Sequence, residues 1–487
     1  KRDRAFPNVM SRKSLRSIIG TTVLAGACLS LFSLPGRAAT GAMQSEQGAV
    51  APSRAAANAF IREPISLAEA VDIALRQNPD VKRAKADLEA AQGIVIQTRA
   101  VAIPKLGVGG SYSAVQDTDL DKLPVSLPGF GFTFGSDQSW GTQVRIVQSI
   151  YEGGRVLSGL RSAKLQRAQA TLNYQTALMD TVLAVQTGYF DVLLAEQQIT
   201  VRERSVELLK SELEDARRRY EAGTIPRFNV LRAEVELANE QPHLSRARNF
   251  FRTSKNNLSN LLGFTLPKEM LEDIPLQLSD KLKAEPYDIN LSQAINKALQ
   301  YRTELEALRK ASDLSREAIV NARAGYKPSL QGFVGYDVHS SMFSDNLTDE
   351  FHGWMAGVQL NWNIFDGFLT QGRIREARAR FQRSEVDLED AGRQIELEVR
   401  TAHSTFIEAR EVLESTTKVV EQAEEALRLA TARNQAGTGT QLDVLSARTA
   451  LTQAETTHNV ALRDYSTARA KLERAVGMNL PVQTNTR

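Results

Sequence analysis

The residue types that do chemistry are thinly spread in this chain. His243, His339, His352, His403 and His458 are scattered, and none has a second ligand at the spacing a metal site uses. "GRVLSG" and "GTGTQLD" carry glycines in turn-like clusters, but no Lys follows a Gly-x4-Gly frame, so neither is a phosphate loop. No Ser sits in a nucleophile-elbow pattern. The Glu/Arg pairs of "ELEDARRRYE" and "IREARARFQRSE" have the i,i+4 spacing of solvated pairs on exposed helix faces. No catalytic constellation, metal site or cofactor is expected, and an enzyme is the class that the residues disfavour most.

Composition points to long helices. Ala, Leu, Glu, Gln and Arg dominate and aromatics make up only 6%, the usage of extended helical rods. Lys+Arg number 60 against 57 Asp+Glu, a formal charge of +3, and basic runs interleaved with aromatics are missing, so nucleic acid is not an expected partner. From Met10 the sequence has a basic stretch (Arg12, Lys13, Arg16), an apolar core from Ile18 to Leu34, and small residues at Gly36 and Ala38. That is a signal peptide, with residues 1–39 read as upstream residues plus leader and 40–64 as an N-terminal extension. The single cysteine, Cys28, falls inside it, and Leu24 is one position out of step with a lipidation signal. The exported chain is then free of disulfides, and no apolar run of about 18 residues is expected to cross a membrane as a helix.

The elements are written twice. "ISLAEAVDIALRQNPDV" from Ile65 matches "INLSQAINKALQYRTEL" from Ile289, and Pro104 falls on Pro328 without a gap. "QSIYEGGR" (148–155) matches "WNIFDGFL" (362–369), and "AGTIPRFNVLRAEVEL" (222–237) matches "AGTGTQLDVLSARTAL" (436–451). The last two pairs share one offset of 214 positions, so the segment between them is preserved in length. Order and spacing of this kind mark a duplication. We divide the chain into repeat 1 (65–264), an inter-repeat segment (265–288), repeat 2 (289–478) and a tail (479–487).

Each repeat reads helix, strand, loop, strand, very long helix, turn, helix. The first helix is expected from Leu67 to Ile103, ahead of Pro104, and the long helices from Arg155 to Ala222 and Leu369 to Ala436, each stopped by a glycine. At 1.5 Å per residue the long helices reach about 100 Å. Their apolar positions step by four and three, as in Ile395, Val399, Ala402, Phe406, Ala409 and Leu413. That is a coiled-coil seam rather than a wide stripe.

Between the helices the period changes to two. In "KLGVGGSYSA", Leu106, Val108 and Tyr112 share one face and Gly107, Gly109 and Ser111 the other. In "WMAGVQLNWNIF", Val358, Leu360, Trp362 and Ile364 alternate with Gly357, Gln359, Asn361 and Asn363. Strands at Val144–Ile150 and Leu330–Val338 follow the pattern less cleanly. One face suits lipid and the other water, the pattern of a membrane β-barrel wall. Four strands cannot close a barrel, and open edges are not tolerated in lipid, so the chain must oligomerise. A dimer and a trimer both satisfy closure. The loops at 117–139 and 339–353 would face the exterior.

With these features in place, the chain from Ile65 to Met478 resembles the TolC family of outer-membrane efflux and secretion ducts. The duplicated plan carries the resemblance, together with the "IYEGG/IFDGF" strand ends and Gly-x5-[Asn/Asp]-Val-Leu-x-Ala at Gly223–Ala233 and Gly437–Ala447. It implies a mainly α fold with a membrane β-barrel portion. Three protomers would make a twelve-stranded barrel in the outer membrane, continued by an α-helical tunnel across the periplasm. The partners it implies are a periplasmic adaptor and an inner-membrane pump or ATP-driven exporter.

The resemblance also places a gate. Gly223, Thr224, Gly437 and Thr438 become hairpin tips at the periplasmic mouth, where the adaptor docks. The family's outer acidic ring position is Asp443, and the second falls on Ser446. The residues that lock the mouth fall on Gly439 and Asn434, and the first-repeat positions are Asn229 and Arg232. We expect Asp443 and Arg232 to lie near each other and partly neutralise the mouth. The alternative is a structural coiled-coil or adhesin-like envelope protein, which does not predict a duplicated hairpin with matched helix lengths.

Overall fold

The computed structural model describes residues 64–114, 138–264, 274–340 and 346–478. The leader, the extension, Cys28, most of the first external loop, residues 265–273 and the tail lie outside the described residues. Helices α1 (Leu67–Gln77) and α2 (Pro79–Ala100) lead into strands β1 (Lys105–Ala114) and β2 (Gln138–Glu152), then α3 (Arg155–Glu221) and α4 (Arg227–Leu261). The same order recurs in α5 (Leu291–Tyr301), α6 (Thr303–Arg323), β3 (Ser329–Ser340), β4 (Glu350–Asn361), α7 (Leu369–Gln435) and α8 (Gln441–Val476). The two long helices have 67 residues each, about 100 Å at the helical rise.

The first helix of each repeat is broken, where the sequence predicts one continuous helix. Asn78 turns the chain out of helical geometry (ψ 134°), accepts from the Asp80 N–H (2.7 Å), and donates to the Leu261 carbonyl (2.8 Å). Pro79 then starts α2 without needing a donor. In repeat 2 the break falls on Arg302, without a proline. Its guanidinium is held by Glu398 and Glu304, so a buried charge does there what Asn-Pro does in repeat 1.

Two apolar cores stand at these breaks. In the first, Ala70, Ile73 and Ala74 pack on Val185, Tyr189, Val192, Leu258 and Leu262, covered by Ile274, Leu276 and Leu282. In the second, Ala294 and Ala298 pack on Val399, Phe406, Leu472 and Val476. The predicted α7 seam is buried at Ile395, Val399, Phe406, Ala409 and Leu413. On α3 the buried surface is wider than a seam, adding Met179, Val182, Tyr189, Leu193 and Leu194. The cause is its neighbours, because α3 packs on α2 and α4 of its own repeat and on α6 and α8 of the other. The same packing explains why, against expectation, one stretch of α3 is apolar enough by composition to cross a membrane while 44% of it is buried within the chain.

The strands form one antiparallel sheet in the order β1-β2-β3-β4. Register puts Leu106, Val108 and Tyr112 opposite Ile146, Val144 and Trp140. Val144 and Ile146 then meet Tyr336 and Val334, which meet Trp354 and Ala356, with Val358 and Leu360 further along. These apolar side chains share one face, and Val108, Val358 and Leu360 are 73%, 65% and 65% exposed. A bulge at Ile150 interrupts the β2–β3 register. β4 ends at Asn361, not at Phe365 as the alternation suggests, because Asn361 pairs with Ser329 and β3 offers no backbone beyond it. Trp362 and Ile364 therefore lie past the sheet, where the Trp362 indole donates to the Tyr326 carbonyl (3.1 Å).

Candidate functional site

The hairpin tips are built by the same hydrogen bonds in both repeats. Gly223 and Gly437 take φ +73°, which an L side chain rarely adopts, with open space where a Cβ would stand. Their N–H groups donate to the Tyr220 and Asn434 carbonyls, and Thr224 and Thr438 donate back to Arg219 and Arg433 (2.9 Å each). This is the Schellman closure of a helix C-terminus.

The returning helices differ. α8 starts with a capping box: the Thr440 hydroxyl accepts from the Asp443 N–H (3.2 Å), and the Asp443 carboxylate accepts from the Thr440 N–H (2.9 Å) and hydroxyl (2.8 Å). α4 starts at Pro226, which has no side-chain cap, with Asn229 in the place of Asp443. The bonds from Thr440 hold the Asp443 carboxyl below its ordinary value of 3.8, and the nearby Arg433 charge adds to this. "TQLD" carries this capping signal in the sequence, as a Thr three residues ahead of an Asp.

Asn229 and Arg232 come together with Thr440, Gln441, Leu442 and Leu445 around a hollow of about 270 Å³ between the two hairpins. Asp443 and Ser446 are exposed and do not line it. Within one chain no ion pair joins Arg232 to Asp443 among the described residues; Arg433 is the cation that acts on that carboxylate. At Gly439 a Cβ would lie 2.9 Å from Arg433 Cβ and 3.1 Å from the Asn434 nitrogen. This backbone therefore leaves no room for a long side chain at Gly439. Asn434 contributes its carbonyl to the turn.

The ion pairs that cross between helices leave no mark in the spacing of the residues. Arg448 of α8 reaches Glu212 of α3 at 2.5 Å, and Arg202 meets Glu240 at 3.1 Å, all four side chains largely covered. Burial pushes the Glu212 carboxyl up and Arg448 opposes it. The predicted i,i+4 pairs are present too, as in Asp215–Arg219 (2.8 Å) and Glu376–Arg380 (2.6 Å), but they stay exposed. Sequence spacing finds pairs along one helix; partners on different helices need the packing.

The sheet's two faces and the duplicated hairpins can be set beside known proteins. The family model described as "outer membrane efflux protein" matches residues 70–264 and 294–478, once on each repeat. The chain belongs to the outer membrane efflux protein family. The outer membrane protein TolC of Vibrio cholerae is 24% identical over 415 residues, 85% of this chain and 90% of that protein. The alkaline protease secretion protein AprF of Pseudomonas aeruginosa is 23% identical over 423 residues, covering 85% of each. The crystal structure of the Campylobacter jejuni CmeC outer membrane channel matches with a TM-score of 0.73 at 17% identity, over 85% of this chain and 86% of that one. That last likeness is one of fold. This TolC-family protein is an outer-membrane exit duct of the kind used in efflux and type I secretion. Its family is made of channel proteins rather than enzymes.

Proposed function

We propose that three copies of the chain close into one duct. The observation that carries this is the pair of open ends. β1 and β4 are the edges of a sheet whose apolar face nothing in the described chain covers. In the helical part α2, α3, α6 and α7 stand side by side, each packed on the next, and among the described residues no comparable packing joins α2 to α7. Exposed apolar residues sit on the outermost helices, among them Ile96 on α2 and Val386 and Leu397 on α7. Open strand edges and uncovered apolar helix faces are resolved together by neighbouring copies.

In this assembly Leu106, Val108, Tyr112, Val358 and Leu360 face lipid, and Trp362 and Ile364 fall at the rim of the barrel. The repeats 65–264 and 289–478 supply two strands and one long hairpin each, and residues 265–288 band the tunnel's middle. The constriction lies at Asp443, Ser446, Asn434, Gly439, Asn229 and Arg232. The tips at Gly223, Thr224, Gly437 and Thr438 receive a periplasmic adaptor, which couples the duct to an inner-membrane pump or ATP-driven exporter. The pump supplies energy and the duct a wet path.

Deleting the gene and measuring sensitivity to dyes and detergents beside the amount of protein in the medium tests the coupling. Sensitised cells indicate drug efflux, and cells that lose a secreted protein indicate secretion. Cells unchanged in both contradict the duct role.

A further inference from the structure

Among the described residues, two cations of the sheet's polar face, Lys105 and Arg145, make no ion pair with a carboxylate, and Arg145 is the one held against a ring. Arg145 of β2 lies with its guanidinium carbon 4.3 Å from the centre of the Phe333 ring, and its Nε is enclosed without an acceptor. Its cross-strand neighbours on that face are Gly107 of β1 and Gly335 of β3. A Cβ at Gly335 would come within 3.5 Å of Arg145 Cγ and 2.9 Å of the Val144 carbonyl oxygen. Phe333 likewise lies across Gly357, where a Cβ would be 2.8 Å from its Cζ. Glycines on β3 and β4 thus leave the space that the arginine and the ring occupy.

The carboxylates of the same face are already engaged. Asp337 lies 2.8 Å from His339 Nδ1, and Glu152 accepts from the Ser149 hydroxyl at 2.8 Å. Lys105 shares the face and falls in the cross-strand row Lys105–Val147–Phe333–Gly357, one row over from Arg145. Around the pair the face is therefore basic and aromatic, and its other neighbours are Gly107, Gly335 and Gly357 together with Val147, Gln143 and Met355.

We propose that Arg145 stacked on Phe333, repeated in each copy, forms a collar inside the barrel that retains anionic aromatic molecules on their way out. The guanidinium offers free donors to a sulfonate or carboxylate, and the ring offers a face for stacking. The collar is a selectivity element separate from the periplasmic mouth. It rests on the reading of the polar face as the lumen wall of an assembled duct.

Planar-bilayer recording of the full chain tests it, with pyrenetetrasulfonate added to the barrel side. The wild type is blocked, Arg145→Gln weakens the block by about tenfold or more, as loss of a charged hydrogen bond implies, and Phe333→Leu weakens it less. A cationic aromatic, N-methylquinolinium, blocks neither protein from that side. Wild-type channels that conduct but are blocked equally in Arg145→Gln, or not blocked at all, overturn the collar. A wild-type chain that forms no discrete channels overturns the duct reading itself. Heat-modifiable oligomer on gels confirms that each variant is assembled before its block is compared.

Discussion

Gly263 lies against the Gln77 carbonyl, so close that a Cβ on the glycine would sit 2.6 Å from that oxygen. The contact joins the end of α4 to the break between α1 and α2. Its counterpart in repeat 2, Gly477 beside Tyr301, is looser, with the nearest atom 3.5 Å from a Cβ. Both glycines have positive φ, +75° and +80°. Gly477→Ala carries only the left-handed strain, about 1–2 kcal/mol. Gly263→Ala adds a backbone clash and is expected to destabilise by more than about 2 kcal/mol. Thermal unfolding of the two variants in detergent checks the order; equal losses would contradict it.

Arg474 is the charged hub of the second core. It is 5% exposed, pairs with Asp180 at 2.7 Å, and holds Glu304, which also meets Arg302. Removing it strands carboxylates whose other ends reach solvent, so Arg474→Met is expected to destabilise by about 3 kcal/mol, the low end for a buried pair. Burial pushes the Glu304 carboxyl up, but the Arg474 hydrogen bond and the two arginine charges outweigh it and leave it below 4.5. A depressed carboxyl contributes stability that is full above its ordinary value and lost as pH falls through the folded one. Denaturant midpoints of wild type and Arg474→Met should therefore converge as pH drops below 4.5.

Asp443 serves the helix start and, in our account, the mouth. Thr440→Ala removes only the cap and is expected to loosen the start of α8 by about 1 kcal/mol while the charge stays. Asp443→Asn removes the charge. Single-channel recordings should then show reduced cation preference in Asp443→Asn and an unchanged preference in Thr440→Ala. Because its folded pKa lies below 3.8, the wild-type preference persists as pH falls to that value and is lost beneath it. Unchanged selectivity in Asp443→Asn removes the residue from the constriction.

The sheet's faces give an alternating prediction. Val358→Arg places a charge on the apolar face, at about 2–4 kcal/mol per chain near the bilayer centre, and is expected to abolish outer-membrane assembly. Gln359→Arg, one residue on and on the polar face, is expected to assemble. Quantifying oligomer in outer-membrane fractions checks both; equal assembly would show that the faces are misassigned.

Which of these features the sequence announced follows from the range of the forces involved. Strand alternation at Leu106, Val108 and Tyr112 is set by neighbours two residues away, and β1 and the part of β4 up to Leu360 alternate as their residues suggest. The glycine stops at Gly223 and Gly437 are equally local, and both long helices end within one residue of expectation. The break at Asn78–Pro79 was written in the residues, but the apolar period running through it masked it. Its equivalent at Arg302 had no local sign, since it depends on Glu398, 96 positions away. The end of β4 was overextended because alternation continues in "NWNIF" after the pairing strand has run out. The Arg448–Glu212 pair and the extra burial on α3 come from helices of the other repeat, which no single-helix pattern records.

The central claim is that one chain is a third of a closed pipe. Native mass spectrometry of the protein extracted from outer membranes in detergent tests it most directly. The account predicts particles of three chains that dissociate on heating and are absent from the soluble fraction. Stable monomers that remain in solution without detergent would contradict it.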